Sequence, residues 1–467
     1  MAEEGMSTTS SAAIPGAVRQ RLLSGGMWAL GGRVGLAVIG FLNNALLARV
    51  LSPAELGVYF LAFTIVGLLA SLGSLGLTKS IVRFVAESIG LGQYGRARRA
   101  IKLSLVYGTL GALVVGVAYT LFGGELAARL FDSPALAAVA GLTAGWMLVA
   151  VVQGILVEAF RGLHDIRMTI ILGGFASGQG FLTGGLVVGS LAVVWLVWGH
   201  TDLATVMLLA TGSGAASTLL AWILLRRRVG KLPQEDSKPA LGGAEMIRVA
   251  WPLMGANLML LVLAQVGYWI AGFFLRQQDV ALYGAAFRLM TYVEMPLAIA
   301  GMVTPPIIAE MYAQGRTREL ERILRSVATV AFVPCFIVLL SFVFFGGPIM
   351  GFAFGSFYQA GGIVLAILSL GQLVNVWTGS CLQVLMMIGE QGYLMLVTVI
   401  TGFAMIIGAI LGAAFYGLVG MTVSISFFGA AVQNVLMMVV VRRRADLWTH
   451  VELSLLWNKM RSIYTVR

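Results

Sequence analysis

A chain of 467 residues that is 59% apolar and only 11% charged fits no soluble class and does fit a polytopic membrane protein. Its net charge of +11 would suggest nucleic acid in a polar chain. In one this apolar, topology and attraction to anionic headgroups account for it, and no nucleic-acid partner is expected.

Twelve apolar stretches follow one another, most reaching the roughly 20 residues that cross a ~30 Å hydrocarbon core. The first six are 25–48, 56–78, 103–122, 135–160, 168–198 and 203–225; the second six are 247–275, 281–307, 323–345, 358–388, 393–415 and 418–441. None alternates with a period of two, so helices are expected rather than a barrel. The fifth and tenth are long enough to tilt or overrun the bilayer. The polar first 20 residues and a long first span without a small-residue cleavage site read as a signal anchor. Cys335 and Cys381 lie inside spans and are expected as free thiols, with no metal site and no disulfide.

Basic residues orient the chain. With the N-terminus in the cytoplasm, only Arg49, Arg129 and Arg276 fall in opposite loops and only Arg33 and Arg288 lie deep within spans; the remaining 26 of the 31 Lys and Arg are in cytoplasmic segments or, like Arg248 and Arg325, at the cytoplasmic ends of spans. That bias supports a multi-pass protein of the cytoplasmic (inner) membrane with both termini inside.

The chain is also written twice. The segment from Leu51 to Tyr59 (LSPAELGVY) lines up with Leu275 to Tyr283 (LRQQDVALY), and Glu87 to Gly92 with Glu310 to Gly315. Six spans per half make the repeats parallel, so the expected fold class is all-α, about 12 transmembrane helices in two six-helix lobes related by a pseudo-two-fold axis along the membrane normal. The expected division is a cytoplasmic N-terminal segment 1–24, an N-lobe 25–225, an exposed linker 226–246, a C-lobe 247–441 and a basic interfacial tail 442–467.

Charges at membrane depth mark functional paths, and here two cations face one anion. Arg33 shares a helical face with Ala37, Gly40 and Asn44, about 12 Å from the cytoplasmic side at ~1.5 Å per residue. Arg288 lies about 10 Å from the other side. A guanidinium fork suits phosphate, though either arginine could instead snorkel or pair structurally. Glu294 is a candidate for coupling to H⁺ or Na⁺, or the partner of another helix. Asn257, Gln265 and Tyr268 share a broad face that can bind sugar hydroxyls or bridge helices. The pairs Gly31/Gly35, Gly141/Gly145 and Gly408/Gly412 read as helix-packing motifs, and Pro296, Pro305 and Pro306 as a kink in the eighth span. There is no P-loop, no buried histidine and no acid/base constellation at an interface, so no catalytic residue is assigned and neither an enzyme nor a bound cofactor is expected.

The stretch LLARVLSPAELGVYFLAFTIVGLLASLGSLGLTKSIVRFVAE resembles the opening of Wzx-type oligosaccharide flippases, and LRQQDVALYGAAFRLMTYVEMPL resembles their second half. These form the O-antigen and exopolysaccharide branch of the multidrug/oligosaccharidyl-lipid/polysaccharide exporter superfamily. The resemblance implies two lobes around a central cavity and alternating-access flipping of a polyprenyl-diphosphate-linked oligosaccharide to the outer leaflet. It also implies cationic cavity residues, for which Arg33 and Arg288 are the matching positions, and pathway partners such as a polymerase and glycosyltransferases. A cation-coupled multidrug exporter and a lipid II flippase are the alternatives within the superfamily. The first would need acids in the N-lobe interior, which holds none, and the second typically carries two further helices.

Overall fold

The computed structural model describes residues 16–173, 180–233 and 242–452; for 16–30, Arg33, Ala256 and several positions within 298–306 it describes the backbone alone. The first half comprises α1 (Gly16–Val50), α2 (Pro53–Gly73), α3 (Leu77–Gly90), α4 (Tyr94–Ala118), α5 (Gly124–Leu130), α6 (Pro134–Ala138), α7 (Ala140–Gly162), α8 (Ile166–Leu172), α9 (Phe181–Val197) and α10 (Leu203–Gly230). The second comprises α11 (Gly243–Phe274), α12 (Gln277–Val293), α13 (Met295–Ala313), α14 (Thr317–Phe354), α15 (Gly362–Thr378), α16 (Cys381–Met387), α17 (Gln391–Ser424) and α18 (Gln433–Ala445). No strand occurs among the described residues.

Eight helical stretches are long and apolar enough to cross a membrane. One of them, Gln391–Ala445, holds the expected eleventh and twelfth spans, joined across the non-helical Gly417 (φ 62°). Shorter apolar helices at Val34–Val50 and Phe181–Val197 supply the first and fifth, and the α12–α13 pair supplies the eighth. The expected count is thus recovered, but four expected spans are broken. The second parts at Ser74–Gly76, the fifth between α8 and α9, the eighth at Glu294 and the tenth at Gly379–Ser380. Continuous hydrophobicity cannot register such breaks, because a satisfied non-helical turn can be as apolar as the helix around it. The Arg226–Arg228 run lies in α10 rather than in a linker; residues 234–241 of that linker, and the tail beyond 452, lie outside the described residues.

The repeat is visible as matched helix starts. At α2 the Ser52 N–H donates to the Glu55 carboxylate (3.0 Å); at α12 the Arg276 N–H donates to the Asp279 carboxylate (3.3 Å). Each acid three residues on satisfies an orphan amide at a helix N-terminus. The matched loops both turn at a left-handed glycine, Gly92 and Gly315, each at φ +70°.

The lobes meet chiefly where α2 packs on α11 and α12. A Cβ at Gly57 would sit 1.9 Å from the Gln277 carbonyl oxygen, and one at Gly284 would sit 2.4 Å from the Phe60 ring. Beyond this contact Gln277 donates to the Phe131 carbonyl (2.9 Å) and Arg49 to the Phe352 carbonyl (3.2 Å). Of the small-residue motifs, Gly35 and Gly412 do make close approaches, to Phe181 and to the Gly420 backbone. Gly141 and Gly145 face open space, so that pair is not a packing motif.

Each lobe carries a glutamine on its fourth span. Gln153 on α7, 3% exposed, has its amide nitrogen 2.8 Å from Thr183 Oγ1, 3.1 Å from Ser217 Oγ and 3.1 Å from the Leu172 carbonyl. It ties the end of α8 to α9 and α10. Gln372 on α15 is similarly buried, yet its amide nitrogen has no partner.

Candidate functional site

Between the lobes lies a cavity of about 510 Å³, walled by α1, α2, α3 and α7 on one side and by α11 and α12 on the other. No carboxylate lines it among the described residues, whereas Arg288 and Lys79 do. Amides come from Asn43, Asn44, Asn257 and Gln265, and hydroxyls from both lobes. Two cations without acids among the described lining residues give the cavity a positive potential.

Arg288 projects from α12 toward the facing α2. Its guanidinium carbon lies 4.5 Å from the centre of the Phe63 ring and 5.9 Å from that of Phe60. No carboxylate pairs with it among the described residues, and its Nε has no hydrogen-bond partner. Ring faces hold a cation by quadrupole attraction without neutralising it, so the donor fork stays available to an anion.

Asn44 crosses to the other lobe, donating to the Tyr292 hydroxyl (3.2 Å) as well as to the Gly40 carbonyl (2.7 Å). A Cβ at position 40 would come 2.8 Å from that hydroxyl, so glycine is what lets Tyr292 lie against α1. Asn257 donates to Ser71 Oγ (2.9 Å), also across the lobes. Both amides therefore line the cavity and bridge helices at once.

The other sequence-derived residues are placed unevenly. Position 33 falls one helical turn before Ala37, which lines the cavity, but the Arg33 side chain lies outside the described residues. Tyr268 does not line the cavity. It is 1% exposed and packed against Phe60, Tyr283 and Phe287, because the face it shares with Asn257 turns into the aromatic seam between the lobes at that depth. Glu294 is also elsewhere. It sits at the α12–α13 break and lines a separate cavity of about 230 Å³ inside the C-lobe, with Gln372, Asn375, Ser426 and Asn434. Thr78 and Lys79 line the central cavity although hydropathy ends the span there. The glycine at 76, held by the structure at φ +75°, was the only local sign of the break that turns them inward.

A third space opens toward the lipid-facing side. A groove of about 400 Å³ runs between α1 and α12–α14, lined by apolar groups including Val38, Phe41, Leu289, Pro296, Val338 and Phe342. It shares Ala37 and Tyr292 with the central cavity, so one wall separates an apolar groove from a polar, cationic chamber.

Residues 22–312 match the family described as polysaccharide biosynthesis protein. A curated relative is the probable low-salt glycan biosynthesis flippase Agl15 of Haloferax volcanii, 26% identical over 397 residues, spanning 83% of this chain and 77% of that one. Among solved structures, an inward-facing multidrug resistance MATE family transporter of the MOP superfamily superposes with TM-score 0.69 at 16% identity, covering 88% of this chain and 94% of that one. The lipid II flippase MurJ in an inward closed conformation superposes with TM-score 0.65 at 14% identity, covering 88% and 86%. A MOP superfamily transporter from Pyrococcus furiosus with reversed binding-pocket polarity gives TM-score 0.55 at 17% identity, covering 91% and 94%. These likenesses show the two-lobed, twelve-helix fold.

Proposed function

Because the chain belongs to the polysaccharide biosynthesis protein family, we propose that it flips a polyprenyl-diphosphate-linked oligosaccharide from the cytoplasmic to the outer leaflet by alternating access. The observation that carries this reading is the acid-free, cationic cavity sharing a wall with an apolar groove. The substrate has the same two halves. Arg288 takes the diphosphate with a fork that matches its oxygens, and Asn44, Asn257 and Gln265 offer hydrogen bonds to sugar hydroxyls. The groove keeps the polyprenyl chain out of water, where each exposed CH₂ would cost about 0.8 kcal/mol. Arg33, one turn from the cavity lining, is the second cation of the path.

Rocking of the lobes requires an energy source. Glu294 in the C-lobe chamber is the proposed coupling group for H⁺ or Na⁺, ringed by amide and hydroxyl oxygens that suit a hard cation. The inner membrane, cytoplasmic termini, and polymerases and glycosyltransferases of an O-antigen or exopolysaccharide pathway as partners belong to the same reading. The cation-coupled drug exporter is disfavoured because a cationic drug finds no carboxylate among the described residues lining the central cavity.

The test is reconstitution in vesicles with a fluorescent lipid-linked oligosaccharide. Arg288→Ala and Arg33→Ala are each expected to cut flipping at least tenfold at normal membrane levels, with Arg→Lys rescuing in part. Full activity of the double alanine variant would sink the reading.

A further inference from the structure

The tenth span is broken at Gly379–Ser380, and the break is closed by a segment from elsewhere in the chain. Helix α18 gives way at Asp446, a left-handed residue (φ +52°) whose carboxylate pairs with Arg442 at 2.7 Å, and residues 446–452 then run back across the C-lobe. Alternate residues Leu447, Thr449 and Val451 are buried, the period of an extended chain. The Val451 N–H donates to the Trp377 carbonyl (3.0 Å) and the Thr449 hydroxyl to the Thr378 carbonyl (2.7 Å). These are two of the carbonyls that α15 leaves without helical partners where it stops. A Cβ at Gly379 (φ +73°) would sit 2.4 Å from the Thr449 carbonyl oxygen, so the glycine admits the strap. On its other side the Trp448 N–H donates to the Glu321 carboxylate (3.2 Å) and the Glu452 N–H to the Thr329 hydroxyl (3.0 Å), both on α14.

The gripped end of α15 is also a wall of the C-lobe chamber, where Gln372 and Asn375 line the space that holds Glu294. The Thr378 hydroxyl donates to the Asn375 carbonyl (2.9 Å), so hydrogen bonds run from Thr449 through Thr378 to Asn375.

We propose that the 446–452 strap positions the end of α15, fixing Gln372 and Asn375 in the chamber of Glu294, and that its release slows ion-driven flipping. This rests on the reading of Glu294 as the coupling group. Thr449 is then a positioning residue, acting on the chamber through Thr378. His450 makes the grip sensitive to acid. The Arg325 guanidinium, a donor only, lies 3.3 Å from His450 Nε2, so that nitrogen accepts and carries no proton. A proton there removes the acceptor and sets two cations side by side. Glu321 and Glu452, which pair with Arg325 at 3.5 and 3.1 Å, are the other charges facing the ring, and the Trp377 and Trp448 rings pack on it.

Cys381, whose Sγ lies 2.9 Å from the Thr449 hydroxyl oxygen, registers docking of the strap. The full chain in nanodiscs is treated with dithiodipyridine, and peptide mass spectrometry compares Cys381 with Cys335, which is bonded instead to the Val293 carbonyl. Thr449→Val should label Cys381 about fivefold faster than the wild type and Thr449→Ser within about twofold of it, since one hydrogen bond separates them. Between pH 7.5 and pH 5.5 the Cys381/Cys335 labelling ratio should rise about threefold in the wild type and stay level in His450→Gln. In reconstituted vesicles Thr449→Val should slow ion-driven flipping about fivefold and Thr449→Ser should restore it. Binding of radiolabelled citronellyl diphosphate in the central cavity should stay within about twofold of the wild type in both variants. A strap that served folding alone would lower binding and flipping together. With the wild type flipping normally, three results would overturn the proposal and leave the flippase reading standing: unchanged Cys381 labelling in Thr449→Val, full flipping despite an exposed Cys381, or equal loss of binding and flipping. A wild type whose flipping ignores imposed H⁺ and Na⁺ gradients would remove the coupling reading and the strap's role with it.

Discussion

The lobes share a topology and differ in what they leave unsatisfied. In the N-lobe the fourth-span glutamine, Gln153, is surrounded by Thr183, Ser217 and a backbone carbonyl. In the C-lobe the corresponding Gln372 has an unpartnered amide beside a chamber that also holds Glu294. The second spans differ likewise. The N-lobe break exposes a helix start to the shared cavity, whereas the C-lobe break places a carboxylate in a private one. A duplicated fold has thus diverged into one half whose fourth-span glutamine is bonded and which presents polar groups to the cargo path, and one half whose corresponding glutamine lines a polar chamber with Glu294. A buried polar group without a partner is costly, so its persistence points to an occupant or a changing state.

The largest effect expected from this contrast is at Glu294. Glu294→Gln should lower ion-driven flipping at least tenfold while leaving citronellyl diphosphate binding in the central cavity within about twofold. Flux unaffected across a range of imposed H⁺ and Na⁺ gradients would remove the coupling role. A second break comes at the inter-lobe seam. Gly57→Leu puts a side chain where a Cβ already comes 1.9 Å from the Gln277 carbonyl oxygen, so the lobes should part at that end. Labelling of a cysteine introduced at Gln277 should then become several-fold faster; labelling at the wild-type rate would show that the seam yields elsewhere.

The glutamines themselves give a smaller and more direct comparison. Gln153→Ala strands several buried groups and should cost about 1–3 kcal/mol, read as a lower thermal midpoint in detergent. Gln372→Ala removes an amide that has little to lose and should cost under about 1 kcal/mol. Equal losses would erase the proposed asymmetry.

The smallest effect is at the C-lobe strap. Residues 446–452 cross the starts of α14 and α16, with the Thr449 hydroxyl donating to the Thr378 carbonyl (2.7 Å) and Arg325 paired to Glu452 (3.1 Å). Burial first, then the Arg325 guanidinium, holds the His450 imidazole below its ordinary range, although Glu321 and Glu452 pull the other way. The folded strap therefore prefers neutral histidine. Its stability is fully present above the unfolded pKa of about 6.5 and declines as pH falls below it. Proteolysis near the strap should be faster at pH 5.5 than at pH 7.5, and His450→Gln should flatten the difference.

Much of the fold was legible because lipid imposes it. Helices must satisfy their own backbone, so twelve apolar stretches and the LSPAELGVY/LRQQDVALY match suffice for twelve helices in two parallel lobes. The site was legible where chemistry is unusual for its depth. Arg288 and Glu294 stood out as charges, and both line cavities. Tyr268 could not be placed, since an aromatic on a polar face looks the same whether it meets a cavity or another ring. Lys79 and Thr78 were passed over because a basic residue at a span end is explained already by the positive-inside bias.

What the sequence alone determined is periodicity, length, charge sign and internal repetition, all properties of one segment at a time. Only the tertiary structure decided which polar groups share a space. Whether Glu294 meets Arg288 or Gln372, whether Gln153 is satisfied, and whether the α3 start faces the cargo path depend on how helices distant in sequence pack. That packing follows from small-residue contacts such as Gly57 on Gln277 and Gly76 on Ala250. A glycine in sequence records the permission for close approach but not the partner that uses it.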